Sequence, residues 1–479
     1  MDYGFRRALT LFRIASKQVP AYKKFLASNK INAYKIHSYN DFLAIPLIEK
    51  KNYINKYPLS KLFPNEKIPP FVYASSGSSG KPTFWFRSDE QERIGTDIHE
   101  KIFSDIFGIR KEETTLVIIC FSMGIWIAGN YTLSACRGVA RRGYALTIVT
   151  PGLEREDIFY ILKTLAPKFK NIILAGYPPF LMDIVVEVNR QNIKLNSHIF
   201  TLTAGDKFTE EWRDAFLKLL KVKNQKHIIS IYGSADAGVL GYETPFSIAL
   251  RRASLENQGL YRALFDEELI LPALIQYDPK HIFFETIKNE LIFTANTANP
   301  LIRYNIHDEG KIFTMNEIRD IVRKYKLSRY IPREYFKQWN MPFIIKKGRS
   351  DVAVTFYAIN IYPENIKTAL EVKKVSKLVS GQFFAYNKNI NHQKTQKLYI
   401  QIELAKGIKP KKKYIVTIQK EIIETLRKLS IEYRKLYETI GIKAIPKVQI
   451  ALFGSTNFQT KSVHGILNIK GKKARILNS

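Results

Sequence analysis

Tyr73-Ala-Ser-Ser-Gly-Ser-Ser-Gly-Lys-Pro-Thr83 packs four serines (Ser75, Ser76, Ser78, Ser79), two glycines and a lysine into eleven residues. Glycine backbones that reach φ > 0 can turn successive N–H groups toward one anion. Serine hydroxyls add donors, and Lys81 adds a point charge. The stretch is not a Walker A loop: two residues rather than four separate Gly77 from Gly80, and Pro82 follows Lys81. Read alone, it suits a phosphate-binding loop and a flexible Gly/Ser linker equally. Four further patches gather turn-forming or polar groups: Ser122-Met123-Gly124, Gly176-Tyr177-Pro178, Ala204-Gly205-Asp206 and Tyr232-Gly233-Ser234-Ala235-Asp236. Turn chemistry alone can place Gly and Asp at such points.

The elements that carry these patches give them meaning. Apolar runs at Thr115–Phe121, Ala145–Val149, Asn171–Ala175, Ile199–Thr203 and His227–Tyr232 have the length and composition of buried strands. Helical periodicity lies between them, as in Thr209–Lys221, where Trp212, Phe216, Leu219 and Leu220 make an apolar stripe. This alternation predicts parallel α/β units, whose ligands bind at the carboxyl ends of the strands. Further on, Leu398, Ile400, Ile402 and Leu404 alternate as in a half-buried strand. A single long amphipathic helix is expected next, with Ile415, Ile418, Ile422, Leu426, Leu429, Tyr433 and Leu436 on one stripe. The polar stretch Lys346–Asp351 marks the expected start of this second region. The predicted organisation is a large domain over 1–346 and a small one over 347–479.

Composition bounds the function. With 46% hydrophobic and 13% aromatic residues, the 479-residue chain can bury a large core, which excludes a disordered protein. No apolar run reaches the ~18 residues that span a bilayer. The longest, Leu116 to Ala128, contains Ser122 and Gly124 and reads as a strand and its loop. The first residues lack a clean apolar block with a cleavage site. Two cysteines, Cys120 and Cys136, supply neither a disulfide framework nor a zinc cluster, so the cytoplasm is the expected compartment. The net charge is +32, and from Lys347 onward 26 basic side chains face only 8 acidic ones. Such a field favours anions: nucleotides, nucleic acid or an anionic membrane face. The usual aromatic-and-basic nucleic-acid modules are missing, which argues against a nucleic-acid partner and leaves peripheral contact with an anionic membrane open. The sequence sets no oligomeric state.

Five stretches, in order, resemble the adenylate-forming acyl ligase superfamily, most closely its phenylacetate–CoA ligase-like branch. "SSGSSGKPT" (75–83) is similar to the Ser/Thr/Gly-rich phosphate loop, and "YGSADAG" (232–238) to the Tyr-Gly-x-Thr/Ser-Glu motif. "NPLIRYNIHDEG" (299–310) is similar to Pro-Leu-Ile-Arg-Tyr-x-x-x-Asp. "GRSDVAVTFYAINIYPENI" (348–366) is similar to the hinge and following strand, and "KGKKARI" (470–476) to the terminal Gly-Lys-x-x-Arg. "VPAYKKF" and "IPLIEKK" near the N-terminus also look like that branch.

The resemblance implies an ATP- and Mg²⁺-dependent, AMP-forming carboxylate ligase. Its fold would be a multi-layer α/β N-terminal domain with a β subdomain and a small mobile α+β C-terminal domain. Its substrate would be a small carboxylic acid, passed as acyl-adenylate to coenzyme A or to an amine or carrier. Ser75, Ser76, Gly77, Ser78, Ser79, Gly80 and Lys81 would wrap the triphosphate. Gly205, Asp206, Gly233 and Ser234 would border the nucleotide, Tyr232 would stack on or beside adenine, and Asp308 would accept from the ribose. Asp236 would hold the metal, Arg349 would reach the ribose or phosphate, Asp351 would be the hinge, and Lys472 would meet the α-phosphate. Phe121, Met123, Trp126, Ala175 and Tyr177 would shape the acid pocket. Three departures stand out: Asp236 is one methylene shorter than the family's Glu, Ala235 replaces a hydroxyl residue, and Ala358 replaces a glycine lining the pantetheine channel. Val352 also replaces an acidic residue beside the hinge. Adenylation is therefore better supported than thioester formation. A second reading, a non-catalytic relative guided by its basic C-terminal domain to nucleic acid or membrane, fits the same departures.

Overall fold

The computed structural model describes residues 3–75, 83–195, 197–205, 208–266, 271–349, 354–357, 359–361, 363–390, 395–405, 407–453 and 455. The chain divides into two compact units. Met1–Ala74, Phe84–Glu267 and Leu271–Ser350 form the larger. Ser75–Thr83, Glu268–Ile270 and Asp351–Ser479 form the smaller.

A short ladder of β1 (Phe71–Ser75) and β2 (Thr83–Arg87) precedes the main sheet. Five strands then run parallel in the order β4-β3-β5-β6-β7: β3 (Thr115–Cys120), β4 (Leu146–Val149), β5 (Asn171–Gly176), β6 (His198–Ala204) and β7 (Ile228–Ser234). Each lies within two residues of an apolar run expected to be a strand. Every residue of β3 and β5 is buried, because helices cover both faces of the sheet. Those helices, Ile127–Arg141, Arg155–Thr164, Pro178–Arg190 and Glu210–Leu220, fill the crossovers. The last starts where Thr209 caps the Trp212 N–H and ends at Lys221 in left-handed conformation, matching the predicted span.

Six antiparallel strands extend the sheet: β8 (Gly238–Tyr242), β9 (Ala273–Gln276), β10 (Ile282–Ile287), β11 (Glu290–Ala295), β12 (Leu301–Phe313) and β13 (Phe343–Arg349). Among the described residues the sheet has eleven strands, this half running β7-β8-β9-β13-β12-β11-β10. β12 stands four ladder steps from β7, roughly 19 Å in a flat sheet, yet side chains of the two strands share a hydrogen bond. The antiparallel half must therefore curl back over the end of β7. Register shifts within β7–β8, β11–β12 and β12–β13 supply the extra twist. Gly310 sits at one of them, where a Cβ would meet the Ile345 carbonyl at 2.1 Å.

The N-terminal helices Tyr3–Gln18 and Pro20–Ser28 cover this half with Phe5, Phe12, Tyr22 and Phe25. The following segment adds one backbone pairing to β12. Ile48 N–H donates to the Arg303 carbonyl at 3.2 Å, and Asn305 N–H donates to the Ile48 carbonyl at 2.9 Å. Buried Arg303 secures the approach by donating to Glu285 at 3.1 Å and to the carbonyls of Leu43 and Ile45.

In the smaller unit, β14 (Val354–Phe356) and β15 (Ile359–Ile361) form a hairpin. β16 (Val379–Ile390), β17 (Thr395–Leu404) and β18 (Lys447–Ala451) form a three-stranded sheet. Leu398, Ile400, Ile402 and Leu404 are all fully buried. The expected single helix is two, Lys412–Leu429 and Ile431–Ile440. Ser430 breaks it: its backbone is extended and its hydroxyl accepts from the Tyr433 N–H, starting a new helix while the apolar stripe continues. The units divide at Ser350/Asp351 rather than at 346/347, because β13 keeps its ladder with β12 through Arg349. Among the described residues no helix is long and apolar enough to cross a membrane.

Candidate active site

Register alone assembles the site's floor. Cys120 lies opposite Gly176, Gly176 opposite Thr203, and Ala204 opposite Ile231. The residues that follow, Phe121, Tyr177, Gly205 and Tyr232-Gly233, therefore line one edge of the parallel half. This is the carboxyl-terminal edge, where open α/β sheets bind ligands. Gly205 has φ +93°, which lets the chain leave β6 sharply. Phe121, Trp126 and Tyr177 are buried, and Met123 packs against the core at the same edge. The backbone of Ala74 on β1 bonds to this region, donating to the Ile125 carbonyl at 2.8 Å.

Above that edge two carboxylates are held in similar ways. Tyr232 Oη donates to Asp308 Oδ2 at 2.5 Å, and Lys346 Nζ lies 3.3 Å from Asp308 Oδ1 and 5.5 Å from the Tyr232 ring centre. The Tyr304 hydroxyl donates to Asp236 Oδ2, and Lys50 Nζ lies 3.6 Å from Asp236 Oδ1. The two Tyr–Asp pairs run in opposite directions. Tyr232 of β7 reaches Asp308 of β12, and Tyr304 of β12 reaches Asp236 beyond β7. Both aspartates are about 95% buried. Each remains an acceptor with lone pairs to spare, since a carboxylate offers about four acceptor positions. Lys50 also stands 5.1 Å from the Trp85 ring centre. Its position follows from the pairing of Ile48 with Tyr304, which delivers the next residues to the same spot that Tyr304 reaches.

Asp236 sits in the tight connection between β7 and β8, where Ser234 Oγ accepts from the Ala237 N–H at 3.1 Å. Arg87, fully buried at the end of β2, donates to the carbonyls of Ala235 and Asp236. Burial lowers the Arg87 pKa from its ordinary value against the opposing pull of nearby Tyr131, Asp236 and Glu92. Arg349 lies opposite Asp308 in the β12–β13 ladder by backbone register; its side chain lies outside the described residues. Ser75 closes β1. Ser76 to Lys81, Asp206, Asp351, Val352, Ala358 and Lys472 lie outside the described residues.

For Mg²⁺, the donor set is a single carboxylate, Asp236, with a lysine beside it. That suits a metal held mainly by phosphate oxygens and water, the usual way proteins bind this ion. It does not suit an all-protein cage, and no cluster of three His, Cys, Asp or Glu occurs among the described residues.

Over 371 residues, the chain is 24% identical to a phenylacetate-coenzyme A ligase of Aromatoleum evansii, covering 75% of this chain and 74% of that protein. Over 368 residues it is 21% identical to the phenylacetate-coenzyme A ligase of Pseudomonas putida, covering 76% and 74%. No family model matches. The structure superposes on 2-hydroxyisobutyryl-CoA ligase, solved with 2-HIB-AMP and CoA in its thioesterification state, with TM-score 0.64 and 15% identity. The match covers 98% of this chain and 90% of that one. The fold is that of the adenylate-forming ligases. The postadenylation state of the same solved ligase, with 2-HIB-AMP, gives TM-score 0.53 at 14% identity over 98% of this chain.

Within this ligase fold, the sequence reading placed Tyr232, Asp236 and Asp308 in one site; the structure joins Tyr232 to Asp308 and joins Asp236 to Tyr304, which lies on the same strand as Asp308. It missed Lys50, Arg87, Tyr304 and Lys346. Three of the four stood inside stretches already singled out: Lys50 in "IPLIEKK", Tyr304 in "NPLIRYNIHDEG" and Lys346 at the head of "KKGRSD". Arg87 gave a signal of another kind, a charged residue closing an aromatic strand ("TFWFR") that has to be buried.

Proposed function

We propose that this protein is an ATP-dependent, AMP-forming carboxylate ligase, which activates a small carboxylic acid as its acyl-adenylate and passes the acyl group to coenzyme A or another acceptor. The observation that carries the reading is the joining of Tyr232 and Asp308 by a 2.5 Å hydrogen bond over the carboxyl edge of the parallel strands. An aromatic face beside an acceptor-only carboxylate suits a nucleoside, with the ring against the base and free lone pairs toward the ribose hydroxyls.

In the reaction, the acid's carboxylate oxygen attacks the α-phosphorus of ATP. A new P–O bond forms, the bond to the β-phosphate oxygen breaks, and pyrophosphate leaves with the electron pair. Two anions must approach, so the protein's work is positioning and charge compensation. Lys50 and Lys346 place two cations at this site. The Ser75–Lys81 loop and Lys472 would add donors and charge at the phosphates, and Arg349 a further cation near Asp308. Asp236 would hold Mg²⁺ through one carboxylate, and the metal would neutralise phosphate charge. The relatives' CoA activity makes coenzyme A the first acceptor to test, with Ala358 the residue to watch.

The test is ATP–pyrophosphate exchange across a panel of carboxylic acids, followed by mass spectrometry of products with and without coenzyme A. Acid-dependent exchange that falls by about 10²–10³ in Asp308→Ala or Lys81→Ala is expected. No exchange with any acid, together with no ATP binding, would overturn the reading.

A further inference from the structure

Asp236 is engaged on both oxygens before any ligand arrives. Oδ2 accepts from the Tyr304 hydroxyl, and Oδ1 faces Lys50 Nζ at 3.6 Å. Among the described residues Lys50 is the one cation in an ion pair with this carboxylate. The other cation nearby, Arg87, is fully buried and donates to the backbone carbonyls of Ala235 and Asp236 instead.

Lys50 has a fixed root and a free tip. Its backbone opens the short helical turn Lys50–Ile54. Glu49 N–H donates to Asn52 Oδ1 at 2.8 Å, and Asn52 Nδ2 donates to the Leu47 carbonyl at 3.0 Å, which locks that turn. Ile48 is in turn paired with Tyr304. The side chain is 41% exposed. At 3.6 Å its ammonium is attracted to Asp236 without the geometry of a hydrogen bond. The Trp85 ring, 5.1 Å from the ammonium, gives it a second contact without directional demands.

This arrangement bears on the metal. Mg²⁺ binds a carboxylate oxygen at about 2.1 Å. A divalent cation on Oδ1 would therefore stand less than about 6 Å from an ammonium that is 3.6 Å from the same oxygen. At that separation the two repel enough to weaken binding about tenfold even at the dielectric constant of water. Burial of Asp236 lowers the local dielectric and strengthens the effect. A metal–ATP complex meets a different balance. It carries net negative charge, and its phosphate oxygens offer a lysine a new partner.

We propose that Lys50 is the resident counter-ion of Asp236. It keeps a free divalent cation out of the site, and it yields the carboxylate when a nucleotide brings phosphate oxygens for the ammonium to turn to. Lys50 thereby sets the order in which metal and nucleotide enter. The proposal rests on the ligase reading for a metal at Asp236.

The experiment is Mn²⁺ titration of the full-length protein at low salt, read by electron paramagnetic resonance, with and without a non-hydrolysable ATP analogue. Without nucleotide, Lys50→Met should bind Mn²⁺ about tenfold or more tightly than the unaltered protein. Lys50→Arg, which keeps the charge, should not. Lys51→Met removes the same charge from the exposed neighbouring residue and should leave the affinity unchanged. The gain should vanish when Asp236→Asn is added to Lys50→Met. With the analogue at saturation, the gap between Lys50→Met and the unaltered protein should close or reverse. Mn²⁺ binding unchanged or weaker in Lys50→Met would overturn the proposal. So would an equal gain in Lys51→Met, a gain that survives Asp236→Asn, or a gap that the analogue does not narrow. Pyrophosphate exchange by the unaltered protein, alongside an unchanged Mn²⁺ affinity in Lys50→Met, would sink this proposal and leave the ligase reading standing. The expected Mn²⁺ pattern in a protein that shows exchange with no acid would do the reverse.

Discussion

Asp308 and Asp236 have the same kinds of neighbour, a tyrosine and a lysine, but are anchored by different means. Asp308 belongs to β12 and is paired in register with Arg349 of β13, so the sheet's own ladder sets where it stands. Asp236 lies in the connection from β7 to β8, and a buried guanidinium on β2 supplies donors to two of that connection's carbonyls. One carboxylate is positioned by backbone pairing, the other by a side chain distant in sequence. The first should tolerate loss of its neighbours. The second should not.

Neutralising the carboxylates separates their roles and has the largest effect. Asp308→Asn and Asp236→Asn should each lower pyrophosphate exchange by about 10²–10³. In the first, the loss should appear mainly as a raised KM for ATP; in the second, as a changed dependence on Mg²⁺ concentration. Identical kinetic signatures would erase the distinction.

Removing the anchor comes next. Arg87→Met leaves the Ala235 and Asp236 carbonyls without a buried donor and should cost about 2–4 kcal/mol in denaturant unfolding. Lys346→Met, beside ladder-held Asp308, should cost less than Arg87→Met, because Tyr232 still donates to the Asp308 carboxylate. Equal costs would contradict the comparison.

A stability profile against pH sharpens it by removing a confounding group. Buried His99, on the helix that carries Gln91 and Glu92, has its pKa lowered to about 4 by desolvation. The unfolded chain takes up that proton near pH 6.5 and the folded chain only near pH 4. Between these values the unfolded state binds more protons, so stability is intact above about pH 6.5 and is lost as the pH falls toward 4. The loss should reach about 3 kcal/mol and largely vanish in His99→Phe. A curve unchanged by that substitution would assign the acid sensitivity to the carboxylates instead.

The smallest effect checks that the parallel half is closed. Cys120 and Cys136 are buried and their thiols are pushed up to about 12. At pH 8 both should resist alkylation in the native protein and react fully in denaturant, as mass spectrometry would read. Rapid labelling of the folded chain would mean that this half opens.

The two halves of the sheet also differ in how far the sequence revealed them. β3 and β5 are covered on both faces, so each appears as a nearly continuous apolar run such as "TLVIIC". The antiparallel half is hidden by its register shifts. In β12, Arg303 and His307 have positive φ, which disrupts the alternation that would mark a strand. Ser430 was hidden in another way, since an apolar stripe can run straight through a capped break. At the site, residue types and order along the chain pointed to Tyr232, Asp236 and Asp308. The partners Tyr304 and Lys50 depend on β12 curling back over β7 and on Ile48 pairing with Tyr304, and Arg87 arrives from β2. Those are contacts across 68 residues or more, which local pattern does not encode.

Calorimetric titration of the full-length protein with AMP tests the nucleotide assignment most directly. The account predicts one site, with affinity at least about tenfold weaker in both Asp308→Ala and Tyr232→Ala. No binding, or binding unchanged by either substitution, would contradict it.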